Sequence, residues 1–101
     1  MKAIINGKKY NTDTAKPVGS WSNCLSRRDF NFCVETLYRK KTGEYFLHGI
    51  GGAETRYCQY YGDMRSGGEK IIPMTEPEAR AWAERRLTAD EYEEIFGEVE
   101  E

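Results

Sequence analysis

Thr75-Glu76-Pro77-Glu78-Ala79-Arg80-Ala81-Trp82-Ala83-Glu84-Arg85-Arg86-Leu87 runs directly into Thr88-Ala89-Asp90-Glu91-Tyr92-Glu93-Glu94-Ile95-Phe96-Gly97. Each half opens on the same signature. A threonine stands three residues before a glutamate, so its hydroxyl can accept from the N3 amide while the glutamate reaches back to the threonine amide. Pro77 sits in the first turn, where a missing amide proton costs nothing. Behind the first cap, Ala79, Trp82, Ala83 and Leu87 follow helical spacing; behind the second, Tyr92, Ile95, Phe96 and Val99 do the same. The spacing predicts two short amphipathic helices, with the second fraying beyond Gly97.

Upstream the pattern changes period. Ala3-Ile4-Ile5 and Lys8-Lys9-Tyr10 flank Asn6-Gly7, a pair whose members both tolerate positive φ. This predicts a hairpin of Lys2–Ile5 and Lys8–Asn11. From Cys33 to Arg39 residues alternate: Val34, Thr36 and Tyr38 share one face, and Cys33, Glu35, Leu37 and Arg39 the other. A turn at Lys41-Thr42-Gly43-Glu44 leads to Tyr45-Phe46-Leu47-His48, which predicts a second hairpin over about 33–48. Lys16–Trp21 reads as a short edge strand, since Pro17 cannot donate to a ladder. Residues 22–28 read as loop, and Asp29–Phe32 as the lead into the next strand. Gly49-Ile50-Gly51-Gly52 reads as a flexible exit, and Ala53–Arg65 fits either a strand or a short helix over 53–60. Lys70–Met74 reads as a last strand stopped by Pro73. The expected fold is therefore α+β: a single domain, 1–101, with a small antiparallel sheet of about four or five strands and two C-terminal helices on one face. Trp82, Leu87, Tyr92, Ile95 and Phe96 are expected to dock on Ile5, Leu37, Leu47 and Ile71.

Composition narrows the class. The chain has 101 residues, 39% hydrophobic and 13% aromatic, which suits one folded core rather than a disordered chain. Mean hydropathy is −0.79, and no apolar run approaches the roughly 18 residues of a membrane-crossing helix. The first ten residues are too polar for a signal peptide. Three cysteines, an odd number, suggest reduced thiols and a cytoplasmic setting. The net charge of −2 conceals a gradient: residues 1–45 hold nine basic and four acidic side chains, and residues 89–101 hold seven acidic and no basic ones.

Few residues suggest chemistry. Cys24, Cys33, Cys58 and His48 lack the local spacing of a zinc site. Cys33 or Cys58 with His48 would make a nucleophile pair, but nothing marks an oxyanion site or orienting group. Gly49–Gly52 lacks the Lys-Ser/Thr of a phosphate loop. No catalytic residue, metal or cofactor is expected. Two surfaces stand out instead. The acidic run, with Glu91, Glu94 and Glu98 on one stripe, imitates the charge spacing of a nucleic-acid backbone and suits a protein with a basic groove. Tyr57, Tyr60 and Tyr61 supply amphipathic contact area beside it. The alternative is direct nucleic-acid binding by Arg27, Arg28, Arg39, Lys40 and Lys41, with Trp21, Phe30, Phe32 or Tyr38 as stacking platforms. Against that alternative, the pI is near 5.5.

Three blocks carry a resemblance: Met1–Tyr10; Glu35–Arg39 with Gly43, Tyr45–Gly49 and Gly51-Gly52; and Gly67–Pro73. Together they resemble small accessory proteins encoded by conjugative elements, plasmids and phages of gut bacteria, over most of the chain outside 20–32 and 53–66. The resemblance implies a context and no site residues. Proteins of that kind regulate the element or block host defence, anti-CRISPR inhibitors among them. It therefore implies a non-enzymatic factor whose partner is a host or element-encoded protein.

Overall fold

The computed structural model describes residues 1–101 and has the α+β architecture. Strands β1 (Lys2–Ile5) and β2 (Lys8–Asn11) pair across Asn6 and Gly7, whose φ values of 51° and 77° are those of a tight hairpin turn. Strands β3 (Lys16–Ser22), β4 (Cys33–Arg39), β5 (Tyr45–Gly51) and β8 (Gly68–Met74) form a four-stranded antiparallel sheet in the order β3-β4-β5-β8. A third hairpin joins β6 (Gln59–Tyr61) to β7 (Met64–Ser66). Helices α1 (Glu76–Arg86) and α2 (Ala89–Phe96) follow, each with the complete capping box, and Gly97 at φ 91° ends the second.

Four local expectations are corrected. Strand β5 does not stop at His48: Gly49 pairs with Glu35 and Gly51 with Cys33, so the glycines belong to the ladder. Gly49 is small because the Tyr57 ring lies across it; a β-carbon there would sit 1.8 Å from Tyr57 Cζ. Pro73 does not stop β8, which is an edge strand where a missing amide donor is tolerated. Asp29–Phe32 does not lead into β4 as strand; it is turn, with the Phe32 amide donating to Asp29 O at 3.1 Å. Residues 53–66 form neither one strand nor a helix, but turns at 53–57 followed by the β6–β7 hairpin.

The sheet has two covered faces. Leu37, Tyr45 and Leu47 meet Ala79, Trp82 and Ala83 of α1, with Leu87, Tyr92, Ile95 and Phe96 packed around them. Leu37 and Leu47 thus receive the helices as expected. Ile5 and Ile71 do not: strand alternation places Ile71, opposite His48, on the other face. There it joins Phe46 and Tyr10, with Ile5, Ala3 and Tyr38 alongside, under the β1–β2 hairpin.

Candidate binding surfaces

Helix α2 is docked through one stripe and acidic on the other. Tyr92, Ile95 and Phe96 are half-buried against the core and Glu91 and Glu94 are exposed; Glu98 is exposed beyond the helix end at Gly97, which corrects its place on the stripe. Glu91 also caps its own helix: Thr88 N and Oγ1 both donate to its Oε1 at 3.0 Å. Those hydrogen bonds hold its carboxyl below the usual range. Two of the three basic residues of α1, Arg80 and Arg86, are committed elsewhere, and Arg85 is exposed. Arg80 pairs with Glu76 at 3.8 Å, donates to the Tyr92 hydroxyl at 3.4 Å and lies over the Phe96 ring. Arg86 pairs with Glu35 and lies 3.8 Å over the Trp21 ring. No cation of the chain lies within 4.0 Å of Glu91, Glu94 or Glu98.

The three tyrosines separate. Tyr57 is fully buried, which corrects its reading as a contact residue. A turn closed by Cys58 N donating to Thr55 O at 3.1 Å folds its side chain inward, where the hydroxyl donates to Glu35 Oε2. Tyr60 and Tyr61 are 70% and 65% exposed on the β6–β7 hairpin, clear of the core.

Glu35 was not anticipated. It is 2% exposed. Trp82 Nε1 donates to its Oε1 at 3.0 Å, and Arg86 Nε lies 3.4 Å from that oxygen. Tyr57 donates to its Oε2, with Arg56 Nη1 4.0 Å away. Such a charge stays buried only when its lone pairs are met, as these are. The neighbouring Cys33 thiol is pushed up by burial first and by the Glu35 charge second, which favours an unreactive thiol. Cys33 stands opposite Gly51, and His48 stands opposite Thr36 with its Nε2 at 2.8 Å from Glu69. The Cys33–His48 pairing weighed from the sequence therefore does not form. No three His, Cys, Asp or Glu side chains converge as metal ligands.

The five basic candidates do not share a face. Arg27 and Arg28 lie in the loop before β4; Arg39, Lys40 and Lys41 lie at its far end, about 20 Å away at strand rise. Lys40 Nζ sits 3.8 Å over the Tyr10 ring and Arg39 stacks on Tyr45. Of the stacking platforms, Phe32 is buried, Trp21 lies under Arg86 and Tyr38 stacks on Phe46 at 5.1 Å. Only Phe30, 68% exposed, is free. It stands at a cleft of about 720 Å³ between the 27–32 loop, the ends of β5 and β8, and the β6–β7 hairpin. The sequence signal for this cleft was the two glycine pairs, Gly51-Gly52 and Gly67-Gly68, which the β5–β8 register brings side by side. No helix is long and apolar enough to cross a membrane. No family model, curated protein or solved structure matches this chain.

Proposed function

We propose that this chain is a non-enzymatic accessory factor of a mobile genetic element that binds a protein, occupying the basic groove of a host nucleic-acid-binding defence protein in the manner of an anti-CRISPR inhibitor. The observation that carries the reading is the pair Glu91 and Glu94, exposed and without a cation partner on a helix fixed by its apolar side, with Glu98 exposed just beyond the helix end. Carboxylates left unneutralised on a rigid element present a directed negative field, and a groove built for phosphates is its complement. Tyr60 and Tyr61 offer a second contact area on the β6–β7 hairpin. The test is nuclease-treated affinity capture from a bacterial host, followed by titration of the captured protein against variants. Glu94→Lys with Glu98→Lys is expected to weaken binding by about ten-fold or more and to flatten its salt dependence. Glu91→Gln, which keeps an acceptor for the cap, is expected to act in the same direction without unwinding α2. Affinity indifferent to all three would remove the reading.

The second reading is a small nucleic-acid-binding regulator. Arg27 and Arg28 at the cleft favour it, Arg27 lying over the Phe32 ring at 5.5 Å; Arg39, Lys40 and Lys41, at the opposite end of β4, drop out.

A further inference from the structure

The cleft beside Phe30 has a chemistry of its own. Its lining includes the backbone of Gly51, Gly52, Gly67 and Gly68, where β5 and β8 meet. Gly52 packs so tightly under the loop that a β-carbon would lie 2.5 Å from Phe30 O, and one on Gly67 would lie 2.9 Å from Gly51 O. The Gln59 side chain covers Gly68, where a β-carbon would lie 2.7 Å from its Cγ. The volume of about 720 Å³ lies within the range of small-molecule sites. Arg27 and Arg28 form one wall, and neither has a carboxylate within 4.0 Å. Two acids also line the cleft: Asp29, whose Oδ1 accepts from Asn31 N at 2.8 Å, and Glu69, whose Oε2 meets His48 Nε2 at 2.8 Å. Arg65 on the facing wall is held by Glu54 at 2.8 Å. The two guanidinium groups without a carboxylate partner, Arg27 and Arg28, share the cleft with a phenylalanine ring that is 68% exposed.

We infer that this cleft binds a nucleotide unit, its base stacked on Phe30 and its phosphate met by Arg27 and Arg28. An exposed aromatic ring beside two guanidinium groups without a carboxylate partner, Arg27 lying over the Phe32 ring at 5.5 Å, combines the two elements by which single strands are held: a π-face for the base and cations for the backbone. An acidic peptide would satisfy the arginines and leave the ring unused. The unit belongs either to a single strand or to a free nucleotide. Tyr60 and Tyr61, exposed on the adjoining hairpin, extend the aromatic surface beyond one nucleotide. The inference is independent of the acidic helix. It rests on the second reading above and narrows it to one cleft.

The test is fluorescence anisotropy of the full chain with labelled oligothymidylate and oligouridylate of about twelve nucleotides at about 50 mM salt. Free AMP and polyglutamate serve as competitors. Binding is expected to weaken about ten-fold on Phe30→Ala and to be restored by Phe30→Tyr. Arg27→Gln with Arg28→Gln is expected to flatten the slope of log K against log salt by about 0.7, the value for one phosphate no longer neutralised. Displacement by AMP at concentrations that oligonucleotide also needs would identify a free nucleotide as the source; oligonucleotide binding alone would identify a strand. These substitutions lie in an exposed loop, and circular dichroism checks that each variant is folded. Oligonucleotide binding that survives in all the variants would overturn the cleft and leave the broader nucleic-acid reading standing. Failure of the unmodified chain to bind oligonucleotide or AMP would overturn both. Polyglutamate competing as well as oligonucleotide would overturn the nucleotide in favour of any polyanion.

Discussion

The two faces of the four-stranded sheet are closed by different physics. On the face under the β1–β2 hairpin, closure is a matter of area and ring geometry. Phe46 stacks on Tyr38 at 5.1 Å and meets Tyr10 edge-on at 5.6 Å, with Ile71 filling in. On the face under the helices, the same kind of apolar packing surrounds a buried carboxylate. Glu35 ties β4 to Tyr57 of the 53–58 turns, to Trp82 and Arg86 of α1, and through Arg86 to Trp21 of β3. An apolar face excludes water in many nearly equivalent packings, so small changes are absorbed. A buried acceptor requires its donors at fixed positions. The helix face is therefore the one on which a small displacement leaves a buried charge short of a partner.

The largest expected effect comes from removing the carboxylate itself. Glu35→Ala leaves the Trp82 indole N–H and the Tyr57 hydroxyl buried without an acceptor and Arg86 without its counter-ion. Breaking a buried pair from one side costs about 3 to 5 kcal/mol. Urea unfolding followed by tryptophan fluorescence would read the loss directly. A loss under about 1 kcal/mol would mean that the helix face is as tolerant as the other, and the contrast would collapse.

The same contrast explains what the sequence disclosed. Elements specified by neighbours along the chain were legible: the hairpin at Asn6-Gly7, the alternation of β4, and both helices from their caps. Glu91 and Glu94 were legible as neighbours on one helix; Glu98 does not continue their stripe, because Gly97 at φ 91° ends α2 before it. Glu35 was placed on the correct side of β4 by alternation with Leu37. Its burial was hidden, because its donors come from 22 and 47 residues downstream. A carboxylate whose partners are unknown reads as solvent-facing. Residues 53–66 were obscure for a related reason. Three tyrosines sit close together in sequence, and only the Thr55–Cys58 turn decides that Tyr57 goes inward while Tyr60 and Tyr61 stay outside. The cleft combines three segments that no local spacing connects.

A smaller deletion sharpens the comparison. Tyr57→Phe keeps the ring over Gly49 and removes only the hydroxyl that donates to Glu35. A hydrogen bond to a charged group contributes about 1.5 to 3 kcal/mol, and a loss of that size is expected. The hydroxyl also gives the helix face a pH signature. Burial first, then the hydrogen bond to Glu35 and its charge, push the Tyr57 proton well above the ordinary phenol range. A group whose folded pKa is raised contributes stability that is complete below its unfolded pKa, about 10 for tyrosine, and is lost as pH rises beyond it. Stability should therefore begin to fall near about pH 10 and keep falling through the alkaline range above it, and Tyr57→Phe should remove the part of that fall due to this residue. An identical alkaline slope in the variant would mean that the proton is not held by the fold.

The smallest expected effect is the matched deletion on the other face. Tyr10→Phe removes a hydroxyl from a ring that is also buried, at 5% exposure, and also packed on an aromatic neighbour. Here the hydroxyl has no partner in the chain, and no side-chain polar atom anywhere in the structure is both buried and unpaired. The oxygen is thus at the surface, while the ring meets Phe46 edge-on and carries the Lys40 ammonium 3.8 Å above its face. None of those interactions needs the hydroxyl, so the substitution should stay within about 0.5 kcal/mol of the unmodified chain. Its urea midpoint is best measured beside that of Tyr57→Phe under the same conditions. The chemical change is the same in both variants, so ring packing and volume cancel to first order. What remains is whether the face around the ring is organised by hydrogen bonds or by area. Equal losses in the two variants would show that the faces do not differ in kind; a loss confined to Tyr57→Phe would locate the specificity of the fold in the carboxylate network.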